Sequence, residues 1–572
     1  MASAVRIVPG VSRIVQSMSS ARAFGTFLAV ALTLPTAPVA AQSILGTPDA
    51  GQSMREMEAA PLTLPSESGL RLDVPVTEES GVAADGATLR VQGFALSGNQ
   101  AVSDAQLLPL LEDLKGREVS LADLQAGVAR ITAYYRKQGH VLARAYLPAQ
   151  EINDGQVRIA ILEGRYGEVA VDNQTRAGGW ALAPLQDLET GDSVRGEALE
   201  RSLLLVSDVP GVSVDATLRP GASVGASDLL VNVKPGPLVS GSIDLDNYGS
   251  RYTGQWRLGG TLNLNNPLGL GDVATLRLMG TDEHQTYYRL AYQLPVGPWA
   301  TRVGASFSNM RYELARDFDV LDAHGRASIA SGYMIQPLVR SRSFNLYGQL
   351  QYDYKRLHDK IDLLGFDTLK HSRVWTASVT GDMRDSFGGG GVTSFALSYS
   401  SGRLALNGAL DQAIDDLTAQ TAGNFQKLTA SALRLQRLND KFSLYTRLQA
   451  QWANKNLDSS EKLGLGGAYG VRGYPQGEAS GDQGWMGSME LRYAFAPAWH
   501  VGAFVDYGRV TLNKKPWAAG DNHRSLSATG LSLGWAQYGW QLSAVAAWRL
   551  NSEPRSDSDR KPRVWMQLLK YF

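Results

Sequence analysis

The 572-residue chain contains no cysteine, which excludes a disulfide scaffold, thiolate zinc sites and a cysteine nucleophile. It has no excess charge either, since 55 Lys+Arg balance 55 Asp+Glu, so no global field draws it to nucleic acid. Beyond Gln42 no apolar run reaches the ~18 residues a membrane-crossing helix needs. The seven histidines (His140, His284, His324, His358, His371, His500 and His523) are scattered, with no H-E-x-x-H and no i, i+4 pair, and no metal site is expected. A G-x-x-x-x-G-K-[ST] loop is absent, leaving no site for ATP hydrolysis. Gly221-Ala-Ser223-Val-Gly225 matches the nucleophile-elbow pattern, but a strand follows it where the chemistry needs a helix. Gly269-Leu-Gly271-Asp-Val-Ala274 has dinucleotide-fingerprint glycines but joins strand to strand, so it reads as a hairpin turn. A hydrolase would have only the adjacent pair His371-Ser372 to offer. No enzyme activity and no cofactor are expected.

What is abundant is glycine, with 60 residues, together with 22 Tyr and 12 Trp in a chain that is only 19% charged. That mixture suits a turn-rich β protein. Residues 1–48 carry Arg6, Arg13 and Arg22 but no acid, and Ala23 to Leu34 form a 12-residue apolar core before Pro35 and Val39-Ala40-Ala41. This reads as a secretory signal peptide over residues 1–41, with Met1 or Met18 as its start. The mature chain is then exported, as a soluble protein or as a β-barrel.

Residues 42–87 are rich in Pro, Ser, Gly and acids and read as a linker, with one helix-compatible piece at Ser53 to Ala60. From residue 88 the pattern turns α/β. A strand at Leu89 to Phe94 and a short helix from Val102 precede a long helix whose capping box is Ser120 and Asp123. Leu121, Leu124, Val128, Ile131 and Tyr135 fall on one face of that helix, and strands at Val141 to Leu147 and Gln156 to Leu162 follow. The same order recurs over 166–236, giving two small modules at 88–165 and 166–236. Each offers a strand edge to which an extended peptide can add, or serves as a spacer.

From residue 237 to 572 helical periodicity gives way to alternation in segments of about ten residues. Trp256, Leu258, Leu262 and Leu264 oppose Arg257, Thr261 and Asn263; Leu346, Leu350, Tyr352 and Tyr354 oppose Asn345, Gln349, Gln351 and Asp353. One face suits lipid and the other water, and lipid tolerates no open sheet edge. At about 21 residues per strand and connection, the region holds sixteen strands of an all-β transmembrane barrel. A water-soluble β-sandwich is the competing architecture. The last segment, Arg563 to Phe572, ends on an aromatic residue, with Lys570 interrupting its apolar face.

Leu463-Gly-Leu-Gly-Gly-Ala-Tyr-Gly-Val-Arg-Gly-Tyr-Pro-Gln-Gly-Glu478 is a long glycine-rich loop with one arginine. Arg472 offers a planar fork for a carboxylate, and Asp506 lies in a strand on the face opposite Val505 and Tyr507, so a lumenal Arg472–Asp506 pair would dock the loop. A fixed plug loop without motion is the alternative. At these residues the chain resembles the two-partner secretion transporters of Gram-negative outer membranes, which include the filamentous-haemagglutinin and haemolysin exporters. The resemblance rests on Val471-Arg472-Gly473-Tyr474, on Phe504-x-Asp506-x-Gly508, on Asp246-Asn247-x-Gly249 with Thr253-Gly254, and on Asn266-Pro-Leu-Gly-Leu-Gly-Asp272. It implies two periplasmic polypeptide-transport-associated (POTRA) modules before a barrel of about sixteen strands, a plug helix near Ser53 to Ala60, and an inward loop whose arginine meets a lumenal aspartate. It also implies a monomer that exports a secreted partner carrying an N-terminal secretion domain and sits in outer-membrane lipid. Periplasmic chaperones and the barrel-assembly machinery would serve its biogenesis. An outer-membrane insertase is the alternative function.

Overall fold

The computed structural model describes residues 48–58, 63–64, 71–73 and 88–572. The expected signal peptide, and Ala59 and Ala60 of the expected plug helix, lie outside the described residues.

In the first α/β module Ser120 caps helix Leu121–Lys137 with the reciprocal Asp123 hydrogen bonds of a capping box. Leu124, Val128, Ile131 and Tyr135 are buried against Leu107, Leu111, Val157, Ile159 and Ile161, while Leu121 stays partly exposed. The expected strand at Leu89 to Phe94 is two short strands, Thr88–Arg90 and Gly93–Ser97. The second of these runs parallel to Gln156–Leu162, which pairs antiparallel with Arg144–Tyr146. Tyr135 is wholly buried and its hydroxyl donates to Glu163 at 2.8 Å. Burial, then that carboxylate, holds its phenol well above the usual tyrosine range.

The second module packs helix Gly196–Ser207 on the hairpin Val212–Pro220/Ala226–Pro235 and the parallel strand Arg165–Asn173. Ser223 is exposed in that hairpin's turn, so the G-x-S-x-G match has no elbow geometry. The helix expected near Leu182 to Leu188 is two 3-10 turns, Gly179–Ala181 and Ala183–Asp187, closed by i to i+3 bonds such as Leu185 N to the Leu182 carbonyl. The open edge expected on this module is taken. Arg71–Asp73 from the linker adds a parallel strand to Val212–Pro220, pairing Leu72 with Ala216, and Leu72 packs on the module's core.

Sixteen antiparallel strands, from Val239–Asp246 to Arg563–Tyr571, form a closed barrel in which the last pairs with the first. Ala323–Arg340, Phe344–Ile361, Phe366–Asp385 and Gly391–Leu406 run 16 to 20 residues, longer than the ten-residue segments expected. Their extra turns of alternation carry polar outward residues such as Arg356 and Arg373, so these pairs extend beyond the hydrocarbon into water. Lys570 faces outward near the opposite rim, where it donates to the carbonyl of Tyr538 at 2.7 Å and lies over the Trp540 ring. Snorkelling to the rim is how the interrupted alternation is tolerated.

The second module sits on the rim where the first strand begins. Arg340 donates to both carboxylate oxygens of Asp208 at 2.7 Å, and Arg302 donates to the Asp208 carbonyl at 3.1 Å. The first turn on that rim, Asn266 to Asp272, is knotted around the wholly buried Asp272, which accepts from Leu270 N and Tyr292 Oη. Gly178 of the second module donates to Gly269 of the turn at 3.2 Å. Asp208→Ala leaves Arg340 without its bidentate partner, a loss of about 2 kcal/mol. Pulsed EPR distances between a label on helix Gly196–Ser207 and one on the rim are expected to broaden in that variant. An unchanged distribution would assign the docking to the Asn266 to Asp272 turn and to the contacts that do not use the Asp208 side chain, such as Arg201 with the carbonyls of Pro337 and Leu338.

Candidate functional site

Residues 454–482 leave the rim opposite the modules and turn back into the barrel. Their inward course is fixed by an apolar seat, in which Leu463, Leu465, Val471 and Tyr474 pack with Met486, Val510, Leu526 and Ala528 of the wall. A small ribbon, Leu463–Gly464 against Ser480–Gly481, closes the neck. Two glycines permit the close approach. A methyl on Gly473 would lie 2.8 Å from the Ala528 Cβ, and one on Gly508 would lie 2.9 Å from Leu465, both closer than carbon atoms pack.

Arg472 stands at the tip of this seat. Its Nε and Nη2 donate to the two oxygens of Asp506 at 2.9 Å each, and its backbone N–H donates to the same carboxylate at 3.0 Å. Nη1 donates to Glu490 at 2.8 Å and Nη2 to Ser488 at 3.0 Å. The guanidinium lies 3.3 Å from the centroid of the Phe504 ring, and the Arg472 carbonyl accepts from Trp565 Nε1 at 2.7 Å. Asp506 is 0% exposed and Glu490 2%. A second arginine, Arg492, donates to Glu490 at 2.8 Å, so two cations balance two buried acids. Such bidentate pairs are strong only because every charge has a partner.

The rest of the loop is held in the same way. Buried Glu478 accepts from Arg524 at 2.5 Å and from the backbone and hydroxyl of Ser556. The Tyr474 hydroxyl donates to Asn551 and to the carbonyl of Ser552. Glu461 meets Lys355 at 2.6 Å and Lys427 at 2.7 Å, and Arg447 donates to the carbonyl of Tyr469.

A helix, Ala50–Glu58, lies inside the barrel beside this loop. Met54 and Met57 pack with Met279, Met310 and Leu357 of the wall. Its first N–H, on Ala50, donates to Asp359 at 2.7 Å, and Glu58 accepts from the Ser308 hydroxyl at 2.8 Å. Arg55 donates to the loop carbonyls of Ser459 and Lys462 at 2.6 and 2.7 Å. Helix, loop and wall therefore share one network.

The barrel-start residues serve the seam. Asp246 takes Arg257 bidentately at 2.7 and 3.1 Å. Asn247 reaches across to the last strand, donating to the Val564 carbonyl at 3.0 Å and accepting from Met566 N at 2.8 Å. Gly249 N donates to the Gln255 carbonyl, and the Thr253 carbonyl accepts from Thr281 beside Gly254, which has φ +107°. Tyr248 packs with Trp565 and Phe504 on one side and Tyr469 of the loop on the other, linking seam to loop.

Val471, Arg472, Gly473, Tyr474, Phe504, Asp506 and Gly508 are thus brought together, while Gly249, Thr253 and Gly254 shape a turn at the end of the first strand. Sequence reading missed Glu490, Ser488 and Trp565. Glu490 and Ser488 stand opposite Phe504 and Asp506 in the register of the neighbouring strand, a signal available only once that register is known.

Residues 225–536 match the profile of the haemolysin secretion/activation proteins ShlB/FhaC/HecB, and residues 89–164 match the ShlB-type POTRA domain. The heme/hemopexin transporter protein HuxB of Haemophilus influenzae (strain 86-028NP) is 27% identical over 549 residues, covering 92% of this chain and 95% of its own length. The hemolysin transporter protein ShlB of Serratia marcescens is 25% identical over 468 residues, 78% of this chain and 79% of its own. The solved structure of CdiB from Escherichia coli superposes with a TM-score of 0.68 at 20% identity, over 92% of this chain and 96% of that one.

Arg472→Ala strands the buried Asp506 carboxylate and leaves Glu490 to Arg492, a loss of about 3–5 kcal/mol to the seated loop. The chain has no native thiol, so a cysteine at Ala468 reports loop position. Labelling of that cysteine by a water-soluble maleimide is expected to accelerate in Arg472→Ala and to slow again in Arg472→Ala/Asp506→Asn, which removes the stranded charge. Equal rates in all three would detach loop seating from this pair.

Proposed function

This chain belongs to the haemolysin secretion/activation family ShlB/FhaC/HecB, and on that premise we propose how its parts divide the work of export. Members of the family are outer-membrane two-partner secretion transporters that carry a secreted exoprotein, and this chain exports such a partner. In our reading residues 88–165 and 166–236 form the periplasmic capture platform and residues 237–572 the conducting barrel. An extended segment of the cargo's N-terminal secretion domain adds to a module edge, as main-chain hydrogen bonding favours. The edges at Gly93–Ser97, Arg144–Tyr146 and Arg165–Asn173 end their sheets, whereas Val212–Pro220 carries the linker strand.

Ala50–Glu58 is the plug of this reading. The space between helix and loop is a cavity of about 520 Å³ touching Arg55, Arg257, Arg447 and Tyr469, room for side chains but not for a moving polypeptide. Conduction therefore requires the helix to leave. Arg472, with Asp506, keeps the loop seated while it does so, and Asp246 and Asn247 keep the seam closed against the outward pull of lipid. Folding of the cargo outside supplies the bias, as the sequence carries no G-x-x-x-x-G-K-[ST] loop to bind a nucleotide; no catalytic step is assigned. The chain works as a monomer, assembled by the barrel-assembly machinery after periplasmic chaperones deliver it. The near-complete alignment with a heme/hemopexin transporter favours a cargo of the class that relative serves.

The observation that carries the reading is the bidentate contact of Arg472 with the wholly buried Asp506 beside a lumenal helix. Arg472→Ala is expected to insert normally, as judged by heat-modifiable migration, yet to remove one large exoprotein from the medium by mass spectrometry. Normal secretion would take the loop out of the mechanism, and depletion of many barrel proteins in a deletion strain would support an insertase. Deleting residues 50–58 is expected to raise single-channel conductance in planar bilayers several-fold; unchanged conductance would leave the helix without a plugging role.

A further inference from the structure

Five arginines occupy the outward face of five consecutive strands near the rim opposite the modules: Arg311, Arg326, Arg356, Arg373 and Arg403. Alternation fixes their direction. Met310, Ala327 and Leu357 beside them turn inward onto the lumenal helix, and Val374 and Leu404 are buried, so all five guanidinium groups point away from the lumen. All five residues are exposed. Register places Arg311 opposite Arg326 and Arg373 opposite Arg403, with Arg356 between Ser328 and His371.

Their height is set by the residues below them. Trp375 follows Arg373 on the same face and is 54% exposed, with Val379 and Met383 continuing the lipid-facing run. Tyr354 precedes Arg356 on its strand, and its ring centroid lies 6.0 Å from the Arg373 guanidinium. The row thus stands directly above the aromatic belt, where the outer leaflet's head groups lie.

Among the described residues none of the five guanidinium groups forms an ion pair or side-chain hydrogen bond, and like charges set opposite each other repel. Of the two acids on this face, Asp367 is taken by His358 at 2.6 Å and Lys360 at 3.1 Å, and Glu313, two residues beyond Arg311, stands opposite His324. Between the strands lies a groove of about 440 Å³ with Arg326, Arg356 and His358 on its rim and Phe307, Ala330 and Tyr354 along its floor. Arginine forks suit phosphate, and an apolar floor continuous with the lipid-facing wall suits an acyl chain. We propose that this row is a binding site for a phosphate-bearing acylated lipid of the outer leaflet, whose phosphates neutralise the arginines while its chains lie along Trp375 and Val379.

The test is native mass spectrometry of the full chain purified in a zwitterionic detergent, offered bisphosphorylated lipid A or phosphatidylcholine. Wild type is expected to retain lipid A, and Arg326→Gln/Arg356→Gln/Arg373→Gln to lose at least tenfold of the bound fraction. Arg509→Gln, an outward arginine whose register partners are Trp485 and Ser525, is expected to bind like wild type. Arg356→Gln alone, about threefold weaker, carries the test if the triple variant fails to give a heat-modifiable barrel. Equal retention by wild type and the arginine variants, or equal retention of phosphatidylcholine, would overturn the proposal. Displacement of lipid A by millimolar inorganic phosphate would also overturn it, by making the row a site for soluble anions.

Discussion

A sheet immersed in hydrocarbon has no water to satisfy its edge groups, so the first and last strands must find each other. Here they do so over only five register pairs, Ser242 with Tyr571 to Asp246 with Gln567, where neighbouring pairs such as Phe344–Ile361 with Phe366–Asp385 share eighteen. The side chain of Asn247 extends the short seam by imitating a backbone partner for Val564 and Met566. Asp246 adds a buried bidentate arginine beside it. Tyr248 and Trp565 then carry the seam's packing to Phe504 and Tyr469, so closure of the barrel and seating of the loop depend on one contiguous cluster.

Closure creates a second constraint, a lumen lined by the polar half of every alternating strand. Left open, such a barrel would be a water-filled hole; filled with apolar residues, it could not pass a polypeptide. The chain fills it with paired charges and hydrogen-bonded backbone. Asp506, Glu490, Glu478, Glu461 and Asp482 are nearly or wholly buried, and each meets an arginine or lysine. Buried charges cost too much to leave unpaired, which makes the arrangement specific: the loop has one seat because only one seat satisfies all of its acids.

Much of this was legible in the alternation of residues 237–572, because lipid on one side and water on the other write a period of two into every strand. The helix at Leu121–Lys137 was equally plain, with its capping box and five-residue apolar face. The loop pair Arg472 and Asp506 could be named because glycine-rich loops with a lone arginine are unusual and Asp506 breaks an apolar strand. Glu490 and Ser488 could not, since their meeting with Arg472 depends on the register between two strands. The lumenal helix was faint for a different reason: Ala50–Glu58 has little intrinsic helix strength and is stabilised by Met279, Met310, Leu357 and the loop carbonyls, contacts that span hundreds of residues. The linker strand Arg71–Asp73 was invisible because three residues without alternation specify no pairing until an edge is placed beside them.

The kinds of contact also order the events of opening. The loop is seated by a bidentate charge pair on the wholly buried Asp506, and breaking it leaves a buried charge without its cation. The helix is held by hydrogen bonds from Arg55 to carbonyls, an N-terminal N–H on Asp359, the Ser308 hydroxyl on Glu58, and two methionines. Each of those polar groups faces the lumen and can exchange its partner for water as the helix withdraws, while methionine, flexible and unbranched, leaves and re-enters an uneven surface at little cost. In the proposed export cycle the helix is therefore the part that would move first. Among the described residues the linker that follows it meets the second module through the three pairs of Arg71–Asp73, so in the export reading proposed above a cargo segment that displaced this strand would free the same segment that tethers the helix. In that reading, capture at the modules and unplugging of the barrel would be mechanically connected through one short strand.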